Sequence, residues 1–212
     1  MLLNGDLAFR TALYSTAKEY ERNCDLDSTA AILTKKSSTN GLEFELSGRI
    51  TSNWEIFSGL AFMDAKILET ATNINATTGA VTVAYKRFEV ERARNTPAMT
   101  FNAFSTHKVT DKWHVGCGFE SKGKRYAYNP TAATPATSVG NDPFTTGTFD
   151  LNTAPSYPCW DALVAYEEKK WALCLNIKNV FDKVYYDSIY DNGPFTVLGN
   201  RRTAVLTTEF KF

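Results

Sequence analysis

The chain has 212 residues and no excess of either charge: 23 Lys and Arg balance 23 Asp and Glu. That balance removes the electrostatic reason to expect nucleic acid as a partner, because phosphate-binding domains carry a basic surplus. Histidine is scarce, with 2 in the chain, and the four cysteines (Cys24, Cys117, Cys159, Cys174) contain no C-x-x-C pair. A zinc site is therefore not expected. No run of about 18 apolar residues occurs, which excludes a membrane-spanning helix. It leaves open a membrane barrel, whose strands need only about 9–11 alternating residues each. No nucleophilic triad, phosphate-cradling glycine loop or paired-carboxylate centre is visible, so no enzyme is expected. The start, Met1 to Asp6, lacks the basic residues and long apolar stretch of an export signal. If the protein is exported, the chain is expected to be a piece of a longer one.

What is present is period-two alternation over much of the length, with 43% hydrophobic residues to build from. Eight strands are predicted, near 7–16, 40–50, 54–65, 98–108, 113–122, 157–166, 171–180 and 201–212. Residues 41–49 alternate most cleanly: Leu42, Phe44 and Leu46 share one face, and Glu43, Glu45, Ser47 and Arg49 the other. Connections between these strands alternate strictly in length. Short turns fall at 51–53, 109–112 and 167–170, and long connections near 17–39, 66–97, 123–156 and 181–200. Loops of that length are uncommon in compact soluble domains. One trimmed and one elaborated end is the plan of a transmembrane barrel. The segment 123–156, with four prolines, reads as a surface excursion without regular structure.

Aromatic placement agrees. Trp54, Trp113 and Trp171 each follow a short turn directly, Tyr166 precedes the third turn, and Phe210 and Phe212 close the chain at the same end. Aromatic rings at one level of a sheet are expected at a membrane–water interface. A soluble sandwich with aromatic plugs near its turns is the competing arrangement.

Two segments carry a family resemblance. GLEFELSGRITSNWEIFSGLAFMDA (41–65) and WALCLNIKNVFDKVYY (171–186) resemble hairpin and strand segments of the TonB-dependent siderophore receptors. The second is similar to that family's LNV-x-NLFDK-x-YY pattern. Gly199 to Arg202, followed by a strand ending in Phe212, resembles the family's terminal strand, and residues 94–97 and 116–121 agree less closely. The resemblance covers roughly residues 40–212. It implies a 22-stranded outer-membrane barrel of Gram-negative bacteria, occluded by a plug domain that bears the TonB box. The chain has no plug or TonB box and about eight strands, so it looks like the C-terminal third of such a receptor. The expected domain is a partial barrel over 1–212, an open antiparallel sheet with two unpaired edges.

The resemblance also implies partners and sites. A ferric siderophore is the expected ligand of the parent receptor, and the fragment is expected to bind no cofactor or metal of its own. Further expected partners are outer-membrane lipid, the TonB complex through the plug, and the barrel assembly machinery. Loop aromatics Tyr126, Tyr128, Tyr185, Tyr186, Tyr190 and Phe195 are the candidate ligand contacts, because rings supply flat apolar area with few rotamers to freeze. Tyr185 and Tyr186 have an outer aromatic belt as their alternative role. Phe210 and Phe212 are the expected assembly signal, recognised by strand addition. Trp54, Trp113, Tyr166, Trp171 and Phe210 form the expected interface girdle. Glu43, Glu45, Arg49, Glu209 and Lys211 should face a polar lumen.

Two finer expectations follow from assumed registers. His107 and His114 are direct partners if residues 110–111 form a two-residue turn, and a slip of one residue separates them. Cys174 is expected opposite Leu163, out of disulfide reach of Cys159. The competing architectures are a self-contained eight-stranded outer-membrane barrel with an adhesive or structural role, and a soluble ligand carrier.

Overall fold

The structure, a computed structural model, describes residues 6–24, 31–69, 72–74, 81–83, 93, 95–126, 153–189 and 196–211. In chain order the strands are β1 (Leu7–Cys24), β2 (Ala31–Thr51), β3 (Trp54–Glu69), β4 (Thr72–Ile74), β5 (Val81–Val83), β6 (Met99–Lys108) and β7 (Trp113–Lys122). There follow β8 (Arg125–Tyr126), β9 (Thr153–Ala154), β10 (Tyr157–Glu167), β11 (Trp171–Lys178), β12 (Tyr186–Ile189), β13 (Thr196–Leu198) and β14 (Thr203–Phe210). Eight of them form one antiparallel sheet in the order β1-β2-β3-β6-β7-β10-β11-β14. These correspond to the eight predicted strands. The sheet does not close, and β1 and β14 are its edges. The other six pair in twos, β4 with β5, β8 with β9 and β12 with β13, each pair inside one long connection.

Every neighbouring pair in the large sheet is a hairpin in sequence, so side-chain parity passes from strand to strand. Glu45 opposes Arg10 and Gly59, Gly59 opposes Asn102, Asn102 opposes Glu120, and Glu120 opposes Cys159. That ladder defines a polar face. Its reverse carries Phe9, Leu13, Phe62, Trp113, Trp160, Leu173, Leu175, Leu206 and Phe210, all exposed. A single-layer sheet has no second layer to bury this surface. Among the described residues only Leu7, Ala65, Ala154, Tyr157 and Ile189 are buried hydrophobics.

The structure corrects several boundaries and registers. The predicted connection 17–39 is mostly strand, because β1 and β2 stay paired out to Cys24 and Ala31. The sequence there alternates no apolar face, and the hairpin is held by backbone pairing with Lys36 3.6 Å from Glu19 across it. The excursion 123–156 is paired at its base, where Arg125 opposes Ala154. Lys108, not His107, opposes His114, so the two histidines lie on opposite faces. The turn at 109–112 holds four residues, and that one-residue slip reverses the parity. Cys174 opposes Ala165, two residues from the expected Leu163. An even slip keeps it on the face of Cys159, and Cys117, Cys159 and Cys174 are all free thiols.

Candidate functional site

Two rows of aromatic rings cross the apolar face. The first lies at the short-turn end. Trp113 and Tyr166 are cross-strand partners with ring centroids 4.8 Å apart, and Tyr166 lies 5.4 Å from Trp171. Trp171 opposes Phe210. Trp54 opposes His107, and its indole N–H donates to Ser105 Oγ at 2.7 Å. The row is oblique to the ladders: Trp171 sits two residues from Leu173, the partner of Tyr166, and Trp113 two from Val115, the partner of His107. That amounts to four residues over the five strand-to-strand steps between Phe210 and Trp54. In length it is about 13 Å along the strands against about 24 Å across them. The inclination is on the order of 30°, approaching the strand tilt of closed barrels.

The second row was not foreseen from the sequence. Trp160 and Phe119 have centroids 4.5 Å apart, and Phe119 and Phe101 5.6 Å. Phe119 opposes Ala103, two residues from Phe101, and Phe101 opposes Leu60, two residues from Phe62. The slips run in the same sense as in the first row, so the rows run parallel from β10 to β6 and stand two residues further apart on β3. Trp113 and Phe119, like Tyr166 and Trp160, stand six residues apart, about 20 Å along a strand. An even spacing between aromatics at both ends of a strand was the available signal. Between the rows the face carries Val115, Cys117, Ala162, Val164, Leu173 and Leu175, with no charge.

The opposite face holds a trough of about 800 Å³ running from Arg10 on β1 to Asp161 on β10. Glu43, Glu45, Glu120 and Asp161 line it against a single Arg10, whose guanidinium lies 2.8 Å from Glu45 Oε1. Arg49 shares this face and reaches Asp6 at 3.2 Å. Glu209 does also, opposite Ala172, and Lys211 just past β14 meets Glu167 at 2.5 Å. At the short turns Lys112 meets Glu168 at 2.5 Å, and Tyr166 donates to the same carboxylate at 2.6 Å. Both contacts, the lysine first, hold the Glu168 carboxyl below its usual range.

At the long-connection end the WALCLNIKNVFDKVYY segment (171–186) explains itself as a turn. Asn179, 2% exposed and at φ 50°, receives the Lys183 N–H at 2.9 Å. It donates to the carbonyls of Lys183 and Asn200 at 2.8 and 2.9 Å. Its own N–H donates to Asp161 Oδ1 at 2.8 Å. Asp182, also at positive φ, accepts from Arg201 Nε at 2.8 Å and from the Arg202 N–H at 2.9 Å. The Arg201 guanidinium and the Arg202 amide hold its carboxyl well below the usual range. Asn and Asp tolerate this left-handed backbone better than other side chains. The segment thus joins both strands of the last long connection at its base.

Beside it, Tyr157 packs on Tyr185 with centroids 4.2 Å apart. Gly199 lets the Tyr185 ring lie against the backbone, since any Cβ there would overlap it. Burial raises the Tyr185 phenol above its ordinary pKa. Tyr185 is half-buried there, as Tyr126 is, whereas Tyr186 is 38% exposed. Tyr128, Tyr190, Phe195 and Phe212 lie outside the described residues. Residues that the sequence reading missed close the cluster. Lys122 Nζ lies 2.9 Å from Asp187 Oδ1 and 3.4 Å from Glu120 Oε1, and the Tyr157 hydroxyl donates to Glu120 at 3.1 Å. Lys122 chiefly keeps the Asp187 carboxyl below its ordinary pKa. Among the described residues no three His, Cys, Asp or Glu side chains converge as a metal site would require.

Comparison with known proteins bears on this architecture. The crystal structure of the siderophore receptor PiuA from Acinetobacter baumannii superposes with a TM-score of 0.76 at 26% identity, over 100% of this chain and 27% of that one. The ferric-catecholate import receptor Fiu of Escherichia coli K12, in its closed form, gives 0.68 at 25% identity, over 100% and 26%. In sequence, the ferric-pyoverdine M114 receptor PbuA of Pseudomonas sp. is 25% identical over 96% of this chain and 22% of its own length. The chain spans about a fifth to a quarter of the curated relatives it matches. Residues 5–180 match the family described as TonB dependent receptor-like, beta-barrel. With that match over most of its length, and an apolar face crossed by two aromatic rows above a polar trough, the chain belongs to the β-barrel family of TonB-dependent receptors, outer-membrane proteins of Gram-negative bacteria.

Proposed function

We propose that residues 1–212 are a stretch of barrel wall in a receptor that captures ferric siderophores and imports them with energy delivered through TonB. The observation that carries this reading is the two-faced sheet. One face presents apolar side chains and aromatic rows to lipid, and the other lines a charged trough that suits a hydrated lumen. Siderophore receptors among the relatives support the ligand class. On this reading Trp54, Trp113, Tyr166, Trp171 and Phe210 sit at the periplasmic interface, and Phe101, Phe119 and Trp160 near the outer one. Tyr126, Tyr185 and Tyr186, with Tyr128, Tyr190 and Phe195, belong to the ligand-facing loops, and Phe210 with Phe212 is the strand read by the assembly machinery. Nothing in this arrangement calls for catalysis. The alternative of a self-contained eight-stranded barrel is disfavoured by the open sheet, whose edge strands β1 and β14 do not meet.

The test is growth of an iron-starved Gram-negative strain lacking its own siderophore receptors, supplied with the receptor that carries this chain and a panel of ferric catecholates and hydroxamates. Growth on at least one of them, dependent on TonB, is expected. Failure on every complex, with the protein assembled in the outer membrane, would sink the reading.

A further inference from the structure

One side chain ties together two segments 61 residues apart in sequence. Arg125 is 2% exposed, and its guanidinium donates to the backbone carbonyls of both Tyr186, at 2.6 Å, and Asp187. Consecutive carbonyls of a regular strand point to opposite sides, so one fork cannot ordinarily reach both. Here the ladder of β12 with β13 is irregular between Tyr186 and Ser188, and Asp187 has no partner in it. Such a bulge re-aims backbone and side chain together. It brings both carbonyls to Arg125 and aims the Asp187 carboxylate at Lys122. The guanidinium also lies over the Tyr157 ring, 5.3 Å from its centroid. Ala154 and Ile189, at 0% and 6% exposure, close the apolar side of the contact.

We propose that Arg125 is a positioning residue: it latches β12 to β8, and so presents Tyr126 and Tyr186 as one rim at the mouth of the receptor. The assignment rests on the reading above that this rim meets a ferric ligand. A buried guanidinium is tolerated only where acceptors are fixed in place. The planar fork selects two acceptors at once, which a lysine ammonium on a flexible stem does not reproduce. Tyr126 follows the latch residue directly, and Tyr186 supplies one of its acceptors. Movement of either tyrosine relative to the other therefore requires the latch to open.

Arg125→Lys in the full receptor, reconstituted in detergent, tests the latch by hydrogen exchange without any ligand. Exchange at 186–189 and 153–154 should accelerate about 10-fold or more, the usual scale for a lost hydrogen bond to a charged group, while 157–167 stays unchanged. The probe for binding is the ferric complex of 2,3-dihydroxybenzoate, whose affinity should fall by a similar factor. Unchanged exchange at 186–189 overturns the latch. Faster exchange with unaltered affinity for the probe overturns the positioning role. If the wild-type receptor does not bind the probe, the functional reading is what fails, and exchange alone then decides for or against the latch. Should Arg125→Lys not assemble, Asp187→Asn weakens the Lys122 and Tyr157 contacts that hold the bulge in place, and it should accelerate exchange at 186–189 by a smaller factor, unchanged exchange there overturning the latch.

Discussion

The side-chain amide of Asn179 holds Lys183 from both directions, accepting its N–H at 2.9 Å and donating to its carbonyl at 2.8 Å. A third bond, to the Asn200 carbonyl, carries the contact across the last long connection. One buried side chain therefore fixes the turn after β11 and the approach to β14 together. This gives the Asn-x-Phe-Asp-Lys run over 179–183 a physical meaning, since Phe181 between them is 75% exposed and adds little to the packing.

Replacing Asn179 by alanine should be costly. It removes three bonds, leaves buried backbone groups unpaired, and puts alanine, which tolerates the left-handed backbone less well than asparagine, at φ 50°. The expected loss is about 2–4 kcal/mol, read as an earlier loss of the heat-modifiable barrel band on gels of the full receptor. Asn179→Gly keeps the backbone conformation and should recover part of it. Equal stability of wild type and alanine variant would show that the turn is held elsewhere.

Asp182 is expected to titrate below the ordinary carboxylate range by the same geometry. Its carboxyl is held low by Arg201 and the Arg202 amide, so the folded protonation midpoint lies below the unfolded one. A depressed carboxylate contributes stability above its unfolded pKa, near 3.9, and loses it only as pH falls toward the folded value. The Arg201 Nε–H resonance in detergent should hold its position from neutral pH down to about 4 and move only in stronger acid. Movement centred on the ordinary carboxylate value would refute the depressed pKa.

The tryptophans are expected at two depths. Lipids brominated near the headgroup should quench Trp54, Trp113 and Trp171 from the inner side. Trp160, six residues above Tyr166 on β10, should respond from the opposite leaflet. Single-tryptophan variants in vesicles with bromolipid in one leaflet separate the two groups. A Trp160 signal matching that of Trp113 would rule out the second row as an interface.

Phe212 gives a kinetic prediction. Deleting it from the full receptor should lower the fraction that reaches the heat-modifiable barrel, since the assembly machinery is expected to read the terminal strand by backbone pairing and its aromatic positions. Assembly at the wild-type rate would leave Phe210 and Phe212 as lipid-facing rings only.

Much of the wall was legible in residue order. In β2, Leu42, Phe44 and Leu46 against Glu43, Glu45 and Arg49 announce a two-faced strand, and Trp54, Trp113 and Trp171 mark three turns. What escaped was anything that depends on how far one strand slides past another. His107 and His114 part company because one extra turn residue inverts parity, and Cys174 drifts from Leu163 to Ala165. The hairpin extension of β1 and β2 was hidden because residues 17–39 carry no apolar stripe to mark a strand.

By itself the order of residues determined the eight strands of the large sheet, the direction of each apolar face and the end at which the turns are trimmed, since each follows from alternation and local turn length. Only the tertiary structure decided that Tyr185 packs against Tyr157 and Gly199, that Phe101, Phe119 and Trp160 align, and that Arg125 reaches Tyr186 and Asp187. Those relationships join residues tens of positions apart. Their existence depends on inter-strand stagger and on a single bulge, which no local pattern encodes.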